Sequence, residues 1–246
     1  MIDLHCHLLP SLDDGSPSLE VSCAMARQAV ASGVRQIVCT PHCVTGDRDA
    51  AKRIRRLQQT AERLREELVR NQIPLTLSVG MELLCRSSLP ETLERGDFLT
   101  LAGSRYLLIE FSFQTSLSRI EWVAETVKQR GYFPVLAHPE RYHAVWRTPD
   151  CLLAWFQAGY VLQLDKDSIL GRFGRECART ADWALRHGLS HIVASDAHDA
   201  ERRTTDLEEV WRFLRRRYQP GYAELLLSRN PGRIVADRPL VMPEEF

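Results

Sequence analysis

Seven short apolar runs alternate with helix-like segments through this 246-residue chain, and six of them end in a side chain that can ligate a metal. Strands that alternate with helices pair in parallel through right-handed crossovers, which narrows the architecture to a barrel or an open doubly wound sheet. The first run closes in Asp3-Leu4-His5-Cys6-His7. The others are Val34 to Thr40, Leu75 to Val79, Tyr106 to Phe111, Phe133 to Ala137, Tyr160 to Leu164 and His191 to Ala194. Ser16-Pro17 reads as an N-cap with proline in the first turn, and Gly33 stops that helix. Ile54, Leu57, Ala61, Leu64 and Leu68 share one helical face. Ser88 and Glu91 have the spacing of a capping box. Ile120, Val123, Ala124 and Val127 mark a helix closed by Gly131, and Thr148-Pro149 caps another. Helices through Ala178 to Arg186, Leu207 to Arg217 and Tyr222 to Ser228 precede an irregular tail over residues 230–246. No repeat or linker divides the chain, and no Gly-rich phosphate turn follows the first strand as in a typical doubly wound sheet. The expectation is one barrel-like α/β domain spanning residues 1–246.

Charge excludes some partners. The formal net charge is zero, so no global field recruits nucleic acid or an anionic membrane. No apolar run approaches the roughly 18 residues of a membrane span, and the start lacks the basic and apolar regions of a signal peptide. Seven scattered cysteines, with no C-x-x-C pair, fit reduced thiols in a cytoplasmic protein. None begins the C-x5-R loop of thiol phosphatases; Cys43 misses it by one residue, at Arg48.

The ligand-type residues gain meaning from their positions. In an extended segment residues i and i+2 share a face, so His5 and His7 can chelate one ion while Cys6 points into the wall. In a β/α barrel, chemistry gathers at the C-terminal ends of the strands. Those ends carry His5 and His7, His42, Glu82, Glu110, His138, and Asp196 with His198. His143, His187 and His191 fall elsewhere and read as ordinary side chains. Each candidate alone has a structural explanation, such as a cap or a buried ion pair. Together they would crowd carboxylates and imidazoles around one cavity, which is costly unless cations compensate. The joint pattern therefore points to a multinuclear metal centre.

The segments Asp3-Leu4-His5-Cys6-His7, Asp13-Asp14-Gly15, Thr40-Pro41-His42, Gly80-Met81-Glu82, Glu110-Phe111, Ala137-His138-Pro139-Glu140-Arg141-Tyr142 and Ser195-Asp196-Ala197-His198 together resemble the polymerase and histidinol phosphatase (PHP) superfamily. Within it the chain looks most like the bacterial manganese-dependent protein tyrosine phosphatases of capsular and exopolysaccharide loci. The resemblance covers nearly the full length and implies a distorted (β/α)7 TIM-like barrel, the PHP fold, holding three divalent metals. Carried over by position, His5, His7, Glu82 and Asp196 would hold the first. Glu82 would bridge to a second, completed by Glu110 and His138. Asp14, His42 and His198 would hold the third; the sequence does not separate Asp13 from Asp14, and Asp14 is taken. A carboxylate and imidazole shell without thiolates suits Mn2+ or Fe2+ and tolerates Co2+ or Zn2+.

The resemblance implies hydrolysis of phosphotyrosine by a metal-bridged hydroxide, without a protein nucleophile. Arg141 and Arg203 match arginines that contact phosphate in that family, a task suited to the guanidinium fork. The implied substrate is a phosphotyrosine protein, such as the tail of a bacterial tyrosine autokinase that regulates capsular or exopolysaccharide synthesis. Two other readings are a small-molecule phosphatase, such as one acting on histidinol phosphate, and a non-catalytic metal-binding scaffold. The first fits the Asp-Asp-Gly segment and Glu110 less well, and the second would have an eroded ligand set.

Overall fold

The strand-like runs do form strands, all of them parallel. A computed structural model describes residues 1–242, with nine strands: β1 (Ile2–Cys6), β2 (Gln36–Cys39), β3 (His42–Val44), β4 (Thr76–Val79), β5 (Glu82–Leu84), β6 (Tyr106–Glu110), β7 (Phe133–Ala137), β8 (Val161–Asp165) and β9 (Ile192–Ala194). They lie in two parallel sheets, β1-β2-β4 and β3-β5-β6-β7-β8-β9. The expected second and third strands are each followed by a short further strand, β3 and β5, across Thr40-Pro41 and Gly80-Met81, where the chain passes from one sheet to the other. Pro41 has no N–H for a ladder, and a Cβ on Gly80 would stand 3.2 Å from the Thr100 carbonyl. At the other edge Cys6 bridges Ala197, flanked by bonds from Asp196 N–H to the His5 carbonyl and from His7 N–H to the Ala197 carbonyl, both 2.9 Å.

Parallel strands covered on both faces should be apolar on both, and β6 to β9 are. Leu108, Val135, Val161 and Ile192 form one apolar cluster, while Leu107, Ile109, Leu136, Leu162 and Val193 join a larger one with the helices. The period of two carries the first face on into polar side chains at the strand ends. Two residues beyond Leu108 comes Glu110, and beyond Val161 come Gln163 and Asp165.

The helices on this frame include α1 (Leu19–Ala31), α2 (Ala50–Arg70), α3 (Leu89–Arg95), α4 (Leu117–Gln129), α5 (His143–Arg147), α6 (Cys151–Gln157), α7 (Lys166–Ile169), α8 (Arg175–Arg186) and α9 (Glu208–Arg217). On α2 the predicted face is buried at Leu57, Ala61, Leu64 and Leu68. Several end signals are corrected. Ser18, not Ser16, caps α1 by accepting from Val21 N–H, because the Ser16 hydroxyl is buried against Ser18 and Ser22. Ser88 makes no side-chain cap on α3, since its hydroxyl turns to Thr45, so the capping box does not form. Asp150 rather than Thr148 holds the N-cap position of α6, while the Thr148 carbonyl accepts from Cys151 N–H. The expected irregular tail begins with a helix, Asn230–Val235, which carries Pro231 and runs on directly from the helical turns of Tyr222–Glu224 and Leu225–Arg229. Of that tail, residues 243–246 lie outside the described residues. Among the described residues no helix is long and apolar enough to cross a membrane.

Candidate metal centre

Every predicted ligand reaches the same end of the sheets, and the strand register explains part of the grouping. His42 on β3 pairs with Glu82 on β5, and Leu84 pairs with Glu110 on β6, so these polar side chains are set on adjacent strands. The chain then bends sharply to add two more. His138 (φ 34°) and Asp196 (φ 47°) both take left-handed backbone, costly for residues other than glycine and typical of functional sites.

The donors fall into three overlapping groups. In the first, His5 Nε2 lies 3.1 Å from Glu82 Oε2 and 3.3 Å from Asp196 Oδ1, and His7 Nε2 lies 3.3 and 3.4 Å from the same atoms. The two Nε2 atoms are 3.3 Å apart. Four donors placed tetrahedrally about 2.1 Å from a cation would be roughly 3.4 Å from one another, so the spacing fits an ion. In the second group, Asp14 Oδ1 stands 3.4 Å from His42 Nε2 and 3.5 Å from His198 Nε2, and His7 joins them. In the third, His42 Nδ1 lies 2.9 Å from Glu82 Oε2 and 3.7 Å from Glu110 Oε2. His138 Nε2 approaches Glu82 Oε1 at 3.1 Å and Glu110 Oε1 at 3.8 Å. Eight of the nine predicted side chains fall in these groups; His7 and His42 each stand in two, and His42 rather than His138 joins Glu82 and Glu110, His138 standing beside them.

Charge and hydrogen bonding test the fit further. Glu82 Oε2, Asp196 Oδ1 and His198 Nε2 are buried and make no hydrogen bond among the described residues. Orphaned buried acceptors of this kind are rare, and a cation is what such atoms can share. The protein meanwhile fixes the outer ring nitrogens. His5 Nδ1 donates to Gln163 Oε1 at 2.9 Å and His7 Nδ1 donates to Asp13 Oδ2 at 2.7 Å, leaving each Nε2 for a metal. Asp13 also accepts from His42 N–H at 2.9 Å. It braces two candidate ligands, whereas Asp14 faces into the second group.

Without cations the site is electrostatically strained. Burial would lower the His5 pKa, but Glu82 and Asp196 outweigh it and raise it to about 9. His7 is likewise raised, through Asp13, Asp196 and Glu82 against burial. Burial and the neighbouring Glu82 carboxylate push Glu110 up to about 7. Burial holds His138 at about 4, with nearby Arg141 acting in the same direction, and burial plus His7 holds His198 at about 4.

Both predicted arginines reach this rim and share one oxygen. Arg141 Nη1 donates to Asp196 Oδ2 at 2.8 Å, and Arg203 Nη2 makes a very short contact with the same atom. Asp196 is thereby divided: Oδ1 faces His5 and His7, and Oδ2 faces the guanidiniums. The Arg141 guanidinium carbon lies 4.8 Å from the Phe113 ring centre and 4.6 Å from that of Phe173, an aromatic clamp with no sequence signal of its own. Asp13, Gln163 and Asp165 also belong to the site without being among the ligands expected from the sequence; Asp165 Oδ2 is 3.6 Å from Arg141 Nη1. For Gln163 and Asp165 the sequence does hold a signal: polar residues two apart at the end of a buried strand. His191 is structural, accepting from Leu162 N–H and stacking on Phe156.

The profile of a family described as "Capsular polysaccharide synthesis, CpsB/CapC" matches residues 1–236. The chain belongs to the CpsB/CapC family. It is 33% identical to the tyrosine-protein phosphatase YwqE of Bacillus subtilis over 221 residues, covering 89% of this chain and 85% of YwqE. It is 29% identical to the tyrosine-protein phosphatase CpsB of Streptococcus pneumoniae over 97% of this chain and 99% of that protein. Among solved structures, one from a study of YwqE and CpsB, described as metal-dependent tyrosine phosphatases, superposes with a TM-score of 0.89 at 30% identity, covering 98% of this chain and 97% of the other. A D-hydantoinase shares the fold alone, with a TM-score of 0.57 at 11% identity over 98% of this chain and 73% of that one.

The protonation of this CpsB/CapC centre yields a prediction. With His5 raised to about 9, the cation-free site carries imidazolium at pH 7.5, and a metal binds only neutral imidazole. Cation entry must therefore expel protons, and affinity should rise with pH up to about 9. Calorimetric Mn2+ titrations in buffers of different ionisation enthalpy should report release of one or more protons. Heats independent of the buffer would contradict this protonation scheme.

Proposed function

We propose that this protein is a metal-dependent tyrosine-protein phosphatase in which His5, His7, Asp14, His42, Glu82, Glu110, His138, Asp196 and His198 hold three divalent cations, with Mn2+ as the resident metal. The observation that carries this reading is the meeting of eight of these donors in three groups at one site, with His138 beside Glu82 at 3.1 Å and with Glu82, Asp196 and His198 each presenting an unpaired buried atom. Membership in a family with tyrosine-protein phosphatases across most of its length supports the reaction class. The two sheets, linked at Cys6 and Ala197, are read as a distorted (β/α)7 barrel within a single domain of residues 1–246.

The chemistry such cations supply when bound is electrophilic activation of a phosphoryl group and of water. The chain's own residues do the rest. Asp13 and Gln163 hold the imidazoles of His7 and His5 with Nε2 inward. Asp196 Oδ2 keeps Arg141 and Arg203 at the rim, where their remaining N–H groups can take the equatorial phosphoryl oxygens as charge develops. Stacking between Phe113 and Phe173 limits the rotamers of Arg141 and preorganises its fork. A thiol route is disfavoured by burial, which raises Cys39 and Cys151 to about 12 and Cys177 to about 11 and keeps them protonated. Phenolate, with a conjugate pKa of about 10, is a far better leaving group than an alkoxide, so phosphotyrosine needs less proton donation. The proposed substrate is the phosphorylated tail of a bacterial tyrosine autokinase in capsule or exopolysaccharide synthesis, met in the cytoplasm.

Two experiments test this. Chelator-stripped protein should regain hydrolysis of a phosphotyrosine peptide on addition of Mn2+, with a kcat/KM above that for histidinol phosphate. The reverse preference would make it a small-molecule phosphatase, and turnover indifferent to chelation would remove the metals from the reaction. Arg141→Ala should lower peptide turnover by roughly 10- to 150-fold, the worth of one charge-assisted contact, with metal content retained. Arg141→Lys should stay impaired because it restores charge without the fork. Unchanged kinetics in Arg141→Ala would take that residue out of the site.

A further inference from the structure

A cavity of about 170 Å³ opens beside the metal centre and shares its His42 wall. The shared wall matters because the centre is open on that side: of the candidate ligands, Asp14 and His42 have the most exposed side chains, at 68% and 32%. The cavity floor includes the buried side chains of Leu57 and Met81, and its rim carries Lys52, Arg53 and Arg56 from the first turns of α2. The three cations at this rim are exposed to solvent, and little opposite charge faces them among the described residues. Arg53 is paired with Asp47 at 2.6 Å, and Arg56 donates to the Ser11 carbonyl at 2.8 Å. Lys52 makes no ion pair among the described residues, and Asp49 is the lining carboxylate. Lys52 and Arg56 are four residues apart, a like-charge pair that weakens an isolated helix. The amino end of α2 adds its own positive potential at the same rim.

We propose that this cavity is a subsite for an acidic side chain close in sequence to the phosphotyrosine, an inference that rests on the phosphatase reading above. Its size suits one side chain rather than a folded surface. A glutamate entering beside the bound phosphoryl group lays its methylenes on Leu57 and Met81 and sets its carboxylate between Lys52 and Arg56. The pairing is exposed to solvent, so it selects among peptides more than it anchors them, and it weakens with salt. Free phosphotyrosine has no flanking side chain to place there.

The test compares a phosphotyrosine peptide with flanking glutamates, the same peptide with glutamines, and free O-phosphotyrosine, using Mn2+-loaded full-length protein. At low salt the glutamate peptide should have a kcat/KM about two- to fivefold above that of the glutamine peptide, the scale of exposed ion pairs. Lys52→Glu and Arg56→Glu should each abolish or invert that ratio and leave free phosphotyrosine unchanged. Equal kcat/KM for the two peptides in the wild type would overturn the subsite. So would variants that lower turnover of free phosphotyrosine as much as that of the peptide. Failure to hydrolyse any of the three substrates would instead overturn the phosphatase reading, and the subsite with it.

Discussion

The structure depends on one buried carboxylate that four imidazoles approach at once. Glu82 is fully buried, yet its two oxygens lie within 3.3 Å of ring nitrogens of His5, His7, His42 and His138. Desolvation on this scale is unfavourable unless opposite charge is supplied, and the neighbouring carboxylates Glu110 and Asp196 add to the need. Of the two Asp196 oxygens, Arg141 and Arg203 meet the outer one. The inner atoms are left without such a partner, and the proposed cations would supply the missing charge.

The backbone is organised to permit that crowding. β2 and β4 stop at Cys39 and Val79, and the chain resumes in the other sheet at His42 and Glu82, which places these two residues opposite each other. The bridge between Cys6 and Ala197 brings the first strand beside the last, so that residues far apart in sequence, His5 and Asp196, come within 3.3 Å of each other. Asp3 fastens the same junction, accepting from Ser195 N–H at 3.0 Å and from its hydroxyl at 2.5 Å. The left-handed backbone at His138 and Asp196 is the cost of turning two candidate ligands inward from strand ends.

The patterns legible in the sequence are those with a period. Apolar runs that end in His, Glu or Asp reveal both the strands and their polar ends, and the helical face of α2 comes from the spacing of Leu57, Ala61, Leu64 and Leu68. The hidden features depend on long-range contacts. Nothing local distinguishes Asp13 from Asp14; only the fold sets one under His7 and His42 and the other toward His198. Ser16 and Ser88 look like caps but have partners elsewhere in the chain, and the Asn230–Val235 helix is masked by Pro231 and Gly232, which read as breakers. Resemblance points to the two arginines, but their convergence on one oxygen between aromatic rings is a property of three dimensions.

The central claim is that nine side chains from this chain together hold three divalent cations. Anomalous diffraction above the manganese edge, on crystals grown from Mn2+-loaded protein, addresses it directly. The account predicts three anomalous peaks per chain, one within each donor group, with Glu82 in contact with two of them. A single peak, or none, at full metal loading would contradict it.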